Sequence, residues 1–283
     1  MASFTNFATL SYNGGTTNSN IVTGEILEAL TAVKTAVSAN YSAGDRITYA
    51  LSLVNTGTAA ITDYTVTDNL GGYTVGANTV YPLAYNAGTV RYYINGVLQA
   101  SPTVTAGPPL AVTGLTVPAG GSAVLIYETT ATPVAPLATG SSITNTATIT
   151  GGGLTTPITA QATVETANSA ELSISKALSP TTVTENGQIT YTFVISNTGN
   201  TEATATGNVV VTDTFAPILR NIAVTYNGTA WTEGTNYTYS AATGVFTTLA
   251  GQITVPAASF TQNTDGTFTV TPGTATLVIT GTV

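Results

Sequence analysis

The chain has 283 residues with no Cys, no His, one Met and one Trp, which removes thiolate and imidazole nucleophiles, Cys/His zinc sites and disulfides. Charged residues make up only 6%, five Lys plus Arg against thirteen Asp plus Glu, and the resulting charge of −8 disfavours nucleic acid and anionic lipid as partners. The length predicts two domains, each able to bury a core, and the abundance of Thr, Val, Gly, Ser, Asn and Tyr is that of strands and turns rather than helices.

The opening residues, Met1-Ala2-Ser3-Phe4-Thr5-Asn6, show neither the basic n-region nor the apolar h-region of a secretory signal. No apolar run approaches the length of a membrane span, so no membrane insertion is expected. Ser3 to Leu10 reads as a strand that places Phe4, Asn6, Ala8 and Leu10 on one face. Ile26, Leu27, Ala29, Leu30 and Val33 fall at helical spacing, which predicts a short helix over Glu25 to Val33. Beyond it, alternation of period two interrupted by turn clusters such as Asn55-Thr56-Gly57, Asn186-Gly187 and Asp265-Gly266 predicts half-buried strands.

An internal repeat runs through this pattern. With Lys34 set on Lys176, Ile47-Thr48-Tyr49 falls on Ile189-Thr190-Tyr191 and Asn55-Thr56-Gly57 on Asn197-Thr198-Gly199 without a gap. After a short insertion, Val66-Thr67-Asp68 matches Val211-Thr212-Asp213. The fold class expected is all-β, two tandem immunoglobulin-like β-sandwich modules. Their boundaries are residues 30–168 and 169–283, preceded by an N-terminal segment and connector over 1–29.

The order of Lys, Ile-Thr-Tyr, Asn-Thr-Gly, Val-Thr-Asp and Thr-Asn-Thr-Ala-Thr is similar to the bacterial surface repeat known as domain of unknown function 11. The first module carries it at Lys34, Ile47 to Tyr49, Asn55 to Gly57, Val66 to Asp68, Val117 to Gly121 and Thr144 to Thr148. The second carries it up to Val270-Thr271-Pro272-Gly273 and the strand after. Size and repeat content also resemble the roughly 29-kilodalton ribbon-appendage proteins of spore-forming anaerobes. These resemblances imply an extracellular location on a cell or spore surface, and a stalk or appendage role.

The two modules differ at their ends. In the first, Val117-Pro118-Ala119-Gly120-Gly121 leads to Ala123 to Thr129, and a further strand, Ile143 to Ile149, closes the sandwich. In the second only Thr276 to Thr280 follows Gly273, so an edge and a groove are expected to stay open. Ser3-Phe4-Thr5-Asn6-Phe7-Ala8-Thr9-Leu10 reads as a variant of Ser142-Ile143-Thr144-Asn145-Thr146-Ala147-Thr148-Ile149, and Asn6 precedes Lys34 much as Asn145 precedes Lys176. Residues 3 to about 24 are therefore expected to complete a second module, by strand addition into a neighbouring subunit or by folding back. The first route makes an open head-to-tail homopolymer of identical subunits.

Strand parity places three polar residues of the first module inward: Lys34 with Leu30, Asp68 with Tyr64 and Val66, and Asn145 with Ile143 and Ala147. Lys176, Asp213 and Asn6 keep the same company in the second module and the leading segment. Surface sandwiches that this chain resembles join Lys to Asn in an isopeptide bond beside an acid. The expectation is a crosslink from Lys34 to Asn145 promoted by Asp68, and one from Lys176 to Asn6 of another subunit promoted by Asp213. The alternative is a buried ion pair hydrogen-bonded to Asn with no bond formed. Apart from this single-turnover chemistry no enzyme is expected, since no motif singles out a carboxylate pair for hydrolysis.

Asn263-Thr264-Asp265-Gly266 fits a hairpin turn and lacks the carboxylates of a calcium loop, so neither metal nor cofactor is expected. Tyr92-Tyr93 and Tyr237 to Tyr239 read as packing residues. Two function classes stay open, a self-assembling filament subunit and a monomeric stalk or adhesin that binds a ligand through its loops. Other appendage or surface proteins are further candidate partners.

Overall fold

The computed structural model describes residues 2–26 and 29–283. Among them the only helical element is a single 3-10 turn, Ala205–Gly207; the rest of the regular structure is antiparallel strand. The chain divides into two compact units, residues 1–135 with 142–165 and residues 136–141 with 166–283.

The first unit is a sandwich of two six-stranded sheets. One sheet runs Val97–Leu98, Arg91–Ile94, Ser122–Ala131, Arg46–Asn55 and Leu30–Ala36, with Leu83–Tyr85 also pairing Ser122–Ala131. The other runs Thr103–Thr105, Leu110–Val117, Ile61–Asp68, Ser142–Gly151, Ile158–Thr166 and Asn40–Tyr41. Alternation along Arg46–Asn55 buries Ile47, Tyr49, Leu51 and Leu53 between the sheets. Facing them, the second sheet buries Tyr64, Val66, Val112, Leu115, Ile143 and Ile149. Each such side chain contributes about 1.5–3 kcal/mol on removal from water.

The second unit repeats the first sheet. Leu172–Ser179, Gln188–Asn197, Gly273–Thr282, Arg220–Tyr226 and Thr229–Trp231 stand in the same order as their counterparts. Even the Asn-Gly hairpin recurs, with Asn95-Gly96 and Asn227-Gly228 at positive φ, as the tight two-residue turn requires. The second sheet, however, holds only Tyr237–Tyr239, Val245–Thr248 and Thr212–Thr214. The Asp68 strand, Ile61–Asp68, pairs at both edges; the Asp213 strand, Thr212–Thr214, pairs only with Val245–Thr248 among the described residues.

The repeated Asn-Thr-Gly is a structural clamp. Asn55 donates through Nδ2 to Ala59 O and Pro118 O and accepts from Gly57 N–H; Asn197 does the same with Thr201 O, Pro256 O and Gly199 N–H. Both are buried, so each satisfied contact avoids a desolvation cost of about 1–3 kcal/mol. A Cβ at Gly199 would strike Ser169 O and Glu171 N, so only glycine fits there. Because Asn197 reaches Pro256, it is Val255-Pro256 that corresponds to Val117-Pro118. The expected match at Val270-Thr271-Pro272 is corrected: those residues end an inserted hairpin, Ser259–Gln262 with Phe268–Thr271, ahead of Gly273.

The helix expected over Glu25 to Val33 is also corrected. Val22–Ile26 and Leu30–Ala36 are strands, while Leu27 and Glu28 lie outside the described residues. Leu30–Ala36 gains a full ladder on Arg46–Asn55, which outweighs a helical spacing of apolar residues too short to nucleate. Residues 2–26 form an extended hairpin: Ala2–Asn6 pairs with Val22–Ile26, and Thr9–Tyr12 with Gly15–Asn18. Its side chains from residue 4 to residue 23 are exposed, including Phe4, Phe7, Leu10, Tyr12 and Val22.

Candidate functional site

Lys34 lies on the inner face of Leu30–Ala36 and Asp68 ends the inner face of Ile61–Asp68, so the two sheets bring the side chains together. Lys34 Nζ stands 2.5 Å from Asp68 Oδ2, and the side chains are 0% and 1% exposed. Oδ2 also accepts from the Tyr127 hydroxyl, and Oδ1 accepts from Leu70 N–H at 3.0 Å. Beneath the ammonium lie two stacked rings, Tyr49 with its centroid 4.8 Å away and Tyr127 at 5.8 Å. Burial pushes the Lys34 amine down to about 8, with Asp68 opposing the shift.

Asn145 comes from the neighbouring strand, Ser142–Gly151, two residues before Ala147, which sits opposite Asp68. It is fully buried, yet neither its carboxamide oxygen nor its nitrogen has a hydrogen-bond partner of good geometry. The carboxamide lies near enough to the Tyr49 and Tyr127 hydroxyls to offset part of the strong upward push that burial gives both phenols. A buried carboxamide left without such partners is costly, about 1–3 kcal/mol per unmade bond, and native interiors rarely keep one without a reason.

The second unit rebuilds part of this arrangement. Lys176 Nζ is again 2.5 Å from the carboxylate, Asp213 Oδ2, and lies over Tyr191, Phe193 and Phe215 at 4.5, 5.4 and 5.5 Å from the ring centroids. Here the side chains are 41% and 17% exposed. Leu172, Ile174 and Leu178, on the same face as Lys176, are exposed as well. Asn6 and Ala8 are exposed on the leading hairpin, with Asn6 opposite Val22 as Asn145 is opposite Ala162.

Sequence reasoning named Lys34, Asp68 and Asn145 but missed Tyr49 and Tyr127. Tyr49 belongs to the repeated Ile-Thr-Tyr and returns as Tyr191, a signal that was available. Tyr127 does not return: Ile279 stands opposite Tyr191 where Tyr127 stands opposite Tyr49. Tyr92 packs with its hydroxyl both donating to Thr116 O and accepting from Thr116 N–H, and Tyr239 packs by donating to Leu219 O. Asp265 accepts from Thr267 N–H and Oγ1 in the turn of the inserted hairpin.

No protein-family model and no curated protein matches the chain. Among solved structures it is similar to the pilus backbone RrgB of Streptococcus pneumoniae, at 14% identity and TM-score 0.36, over 86% of this chain and 55% of that one. It is also similar to a D312A variant of BcpA, the major pilin subunit of Bacillus cereus, at 13% identity and TM-score 0.40, over 96% and 73% of the two chains. A third likeness, to the N-terminal domain of the Streptococcus gordonii adhesin Sgo0707, has 14% identity and TM-score 0.35 and covers 47% and 31%. The chain thus spans about half the length of the pilus backbone and a third of the adhesin domain. Likenesses this distant carry no functional argument, which rests instead on the strand inventory and the Lys–Asp–Asn cluster.

Proposed function

We propose that this chain is a structural subunit of a self-assembling extracellular filament, an appendage of a cell or spore surface. It polymerises head-to-tail when the N-terminal segment of one copy enters the second unit of the next. The observation that carries this reading is the unmatched edge of Thr212–Thr214, taken with an exposed hairpin that pairs in the same order as Ser142–Thr166 and repeats Asn145 and Ala147 as Asn6 and Ala8. An open edge beside the exposed apolar side chains Leu172, Ile174 and Leu178 is the kind of surface that sheet proteins fill by strand addition.

The buried Lys34–Asp68–Asn145 cluster supplies a covalent lock within the first unit. Lys34 passes a proton to Asp68, and the neutral amine attacks Cγ of Asn145 while the acid hydrogen-bonds the carboxamide oxygen. The Nζ–Cγ amide bond forms, the Cγ–Nδ2 bond breaks, and ammonia leaves with a second Lys34 proton; the first stays on Asp68 until solvent takes it. Tyr127, which donates to Asp68, holds the carboxyl in place. The lowered Lys34 pKa and the unpartnered Asn145 carboxamide both favour this step. Fixing the groups in one core replaces a bimolecular encounter, an advantage on the order of 7–11 kcal/mol. Lys176, Asp213 and Asn6 of a second copy form the equivalent set between subunits.

Negative-stain imaging and boiled SDS gels of the purified chain test the reading. Fibres and an SDS-resistant ladder are expected, with the ladder lost in Lys176→Ala while fibres persist. A dispersed monomer with full β content would replace this reading by a stalk or adhesin.

A further inference from the structure

Building on that proposed polymer, we propose that the inserted element is the whole hairpin, two strands wide, and that it seats in one register. Ala8 lies opposite Asp213 and Leu10 opposite Val211, while the return strand, residues 15–26, runs beside residues 182–183 of the receiving copy. The second copy of this chain is the partner, and the surface is the open side of its second unit.

The first unit supplies the template. Its closing element is itself a hairpin, Ser142–Gly151 with Ile158–Thr166, and it touches the sheet at both sides. The leading strand sets Ala147 on Asp68 and Ile149 on Val66. The return strand buries Ala160, Ala162 and Val164 and then pairs with Asn40–Tyr41 at the far edge. In the second unit the repeat places Thr182-Val183 where Asn40-Tyr41 stand, and these two residues belong to no strand. The vacancy is therefore two strands wide, with an unpaired acceptor on each side.

The leading hairpin matches that vacancy in shape. It pairs Phe4 with Gly24 where the first unit pairs Ile143 with Val164, and Asn6 with Val22 where it pairs Asn145 with Ala162. The Phe4 ring lies over Gly24 in the space a Cβ would need, so one large and one minimal residue replace two of middle size. Such exchanges keep the filled volume of a core nearly constant. The one irregularity is an extra residue in the return strand, Ser19 to Ile21 against Phe7 and Ala8, with Ser19 N–H donating to Ala8 O. A bulge there leaves the alternation of Phe4, Asn6, Ala8 and Leu10 unbroken. A lone two-stranded hairpin whose side chains from residue 4 to residue 23 are exposed has no core there to stabilise it, and the receiving groove provides one.

The absence of native Cys gives a clean test. Thr9→Cys with Thr212→Cys, the counterparts of Thr148 and Thr67, is placed in a Lys176→Ala background so that a disulfide is the only covalent link between copies. Oxidised fibres are expected to give a reductant-sensitive ladder, whereas Thr9→Cys with Thr214→Cys stays monomeric on the gel. Hydrogen exchange of parent fibres is expected to show residues 15–26 and 181–184 protected together, relative to dispersed chain. Fibres that ladder only through the Thr214→Cys pair, or that leave residues 15–26 exchanging freely, overturn the two-strand register while the polymer stands. Absence of fibres altogether overturns both.

Discussion

In the first unit the Lys34–Asp68 pair lies under a complete six-stranded sheet and is sealed from solvent; in the second the Lys176–Asp213 pair, at the same separation, stands at the margin of a three-stranded sheet and is wetted. The motif residues are the same, so the difference comes from the covering strands, Ser142–Gly151 and Ile158–Thr166. Burial of a charge is a property of what lies over it, and one unit of this chain carries its own cover while the other does not. The tyrosine contacts sharpen the contrast: Tyr127 anchors Asp68, whereas Ile279 leaves Asp213 with the lysine and the Thr214 N–H.

The largest way to break this comparison is to remove residues 1–24. Fibres are expected to vanish from negative-stain images while the melting of the first unit, whose sheets do not use those residues, stays where it was. Next, Asp68→Ala strands a buried ammonium and is expected to cost about 3–5 kcal/mol in denaturant melts. Asp213→Ala, at a half-exposed pair in dispersed chain, is expected to cost no more than about 1 kcal/mol. Intact mass should lie about 17 Da below the sequence value for one released ammonia, and that deficit should vanish in Asp68→Ala when its mass is compared with its own sequence value.

Tyr127→Phe keeps the ring under Lys34 and removes one charge-assisted hydrogen bond. A loss of about 1–3 kcal/mol and slower appearance of the mass deficit are expected, measured on freshly refolded protein.

The smallest effect is on pH dependence. In Asn145→Ala the Lys34 amine stays free, with a folded pKa near 8 below its unfolded 10.5. Between those values the unfolded chain binds the extra proton, so stability rises with pH from about 8. Above pH 10 the buried Tyr49 and Tyr127 phenols, shifted the other way, begin to reverse the gain. Denaturant midpoints at pH 7.5 and 9.5 should therefore differ in Asn145→Ala and coincide, for this site, in crosslinked parent.

Much of this was legible in the sequence because strand parity is a strict rule: it turned Lys34, Asp68 and Asn145 inward with their apolar neighbours. Parity does not say which side chains meet across the core, and so Tyr127, on the facing sheet and 59 residues from Asp68 in sequence, went unseen. The helical spacing of Ile26, Leu30 and Val33 misled because a ladder with Arg46–Asn55 was not part of the local pattern. Val270-Thr271-Pro272-Gly273 misled for a different reason, an inserted hairpin that ends in a string resembling the true turn.

The path of tension through a pulled chain follows from where the hairpin joins the first unit. Force arriving through residues 2–26 enters the Lys34 strand directly at Leu30 and leaves past Thr166 at the end of the Asn145 hairpin. A bond from Lys34 to Asn145 would shunt that load across the sandwich. The ladders between them, including Arg46–Asn55 and Ser122–Ala131, would then be bystanders to stretching, able to keep their packing while the anchor strands bear the strain.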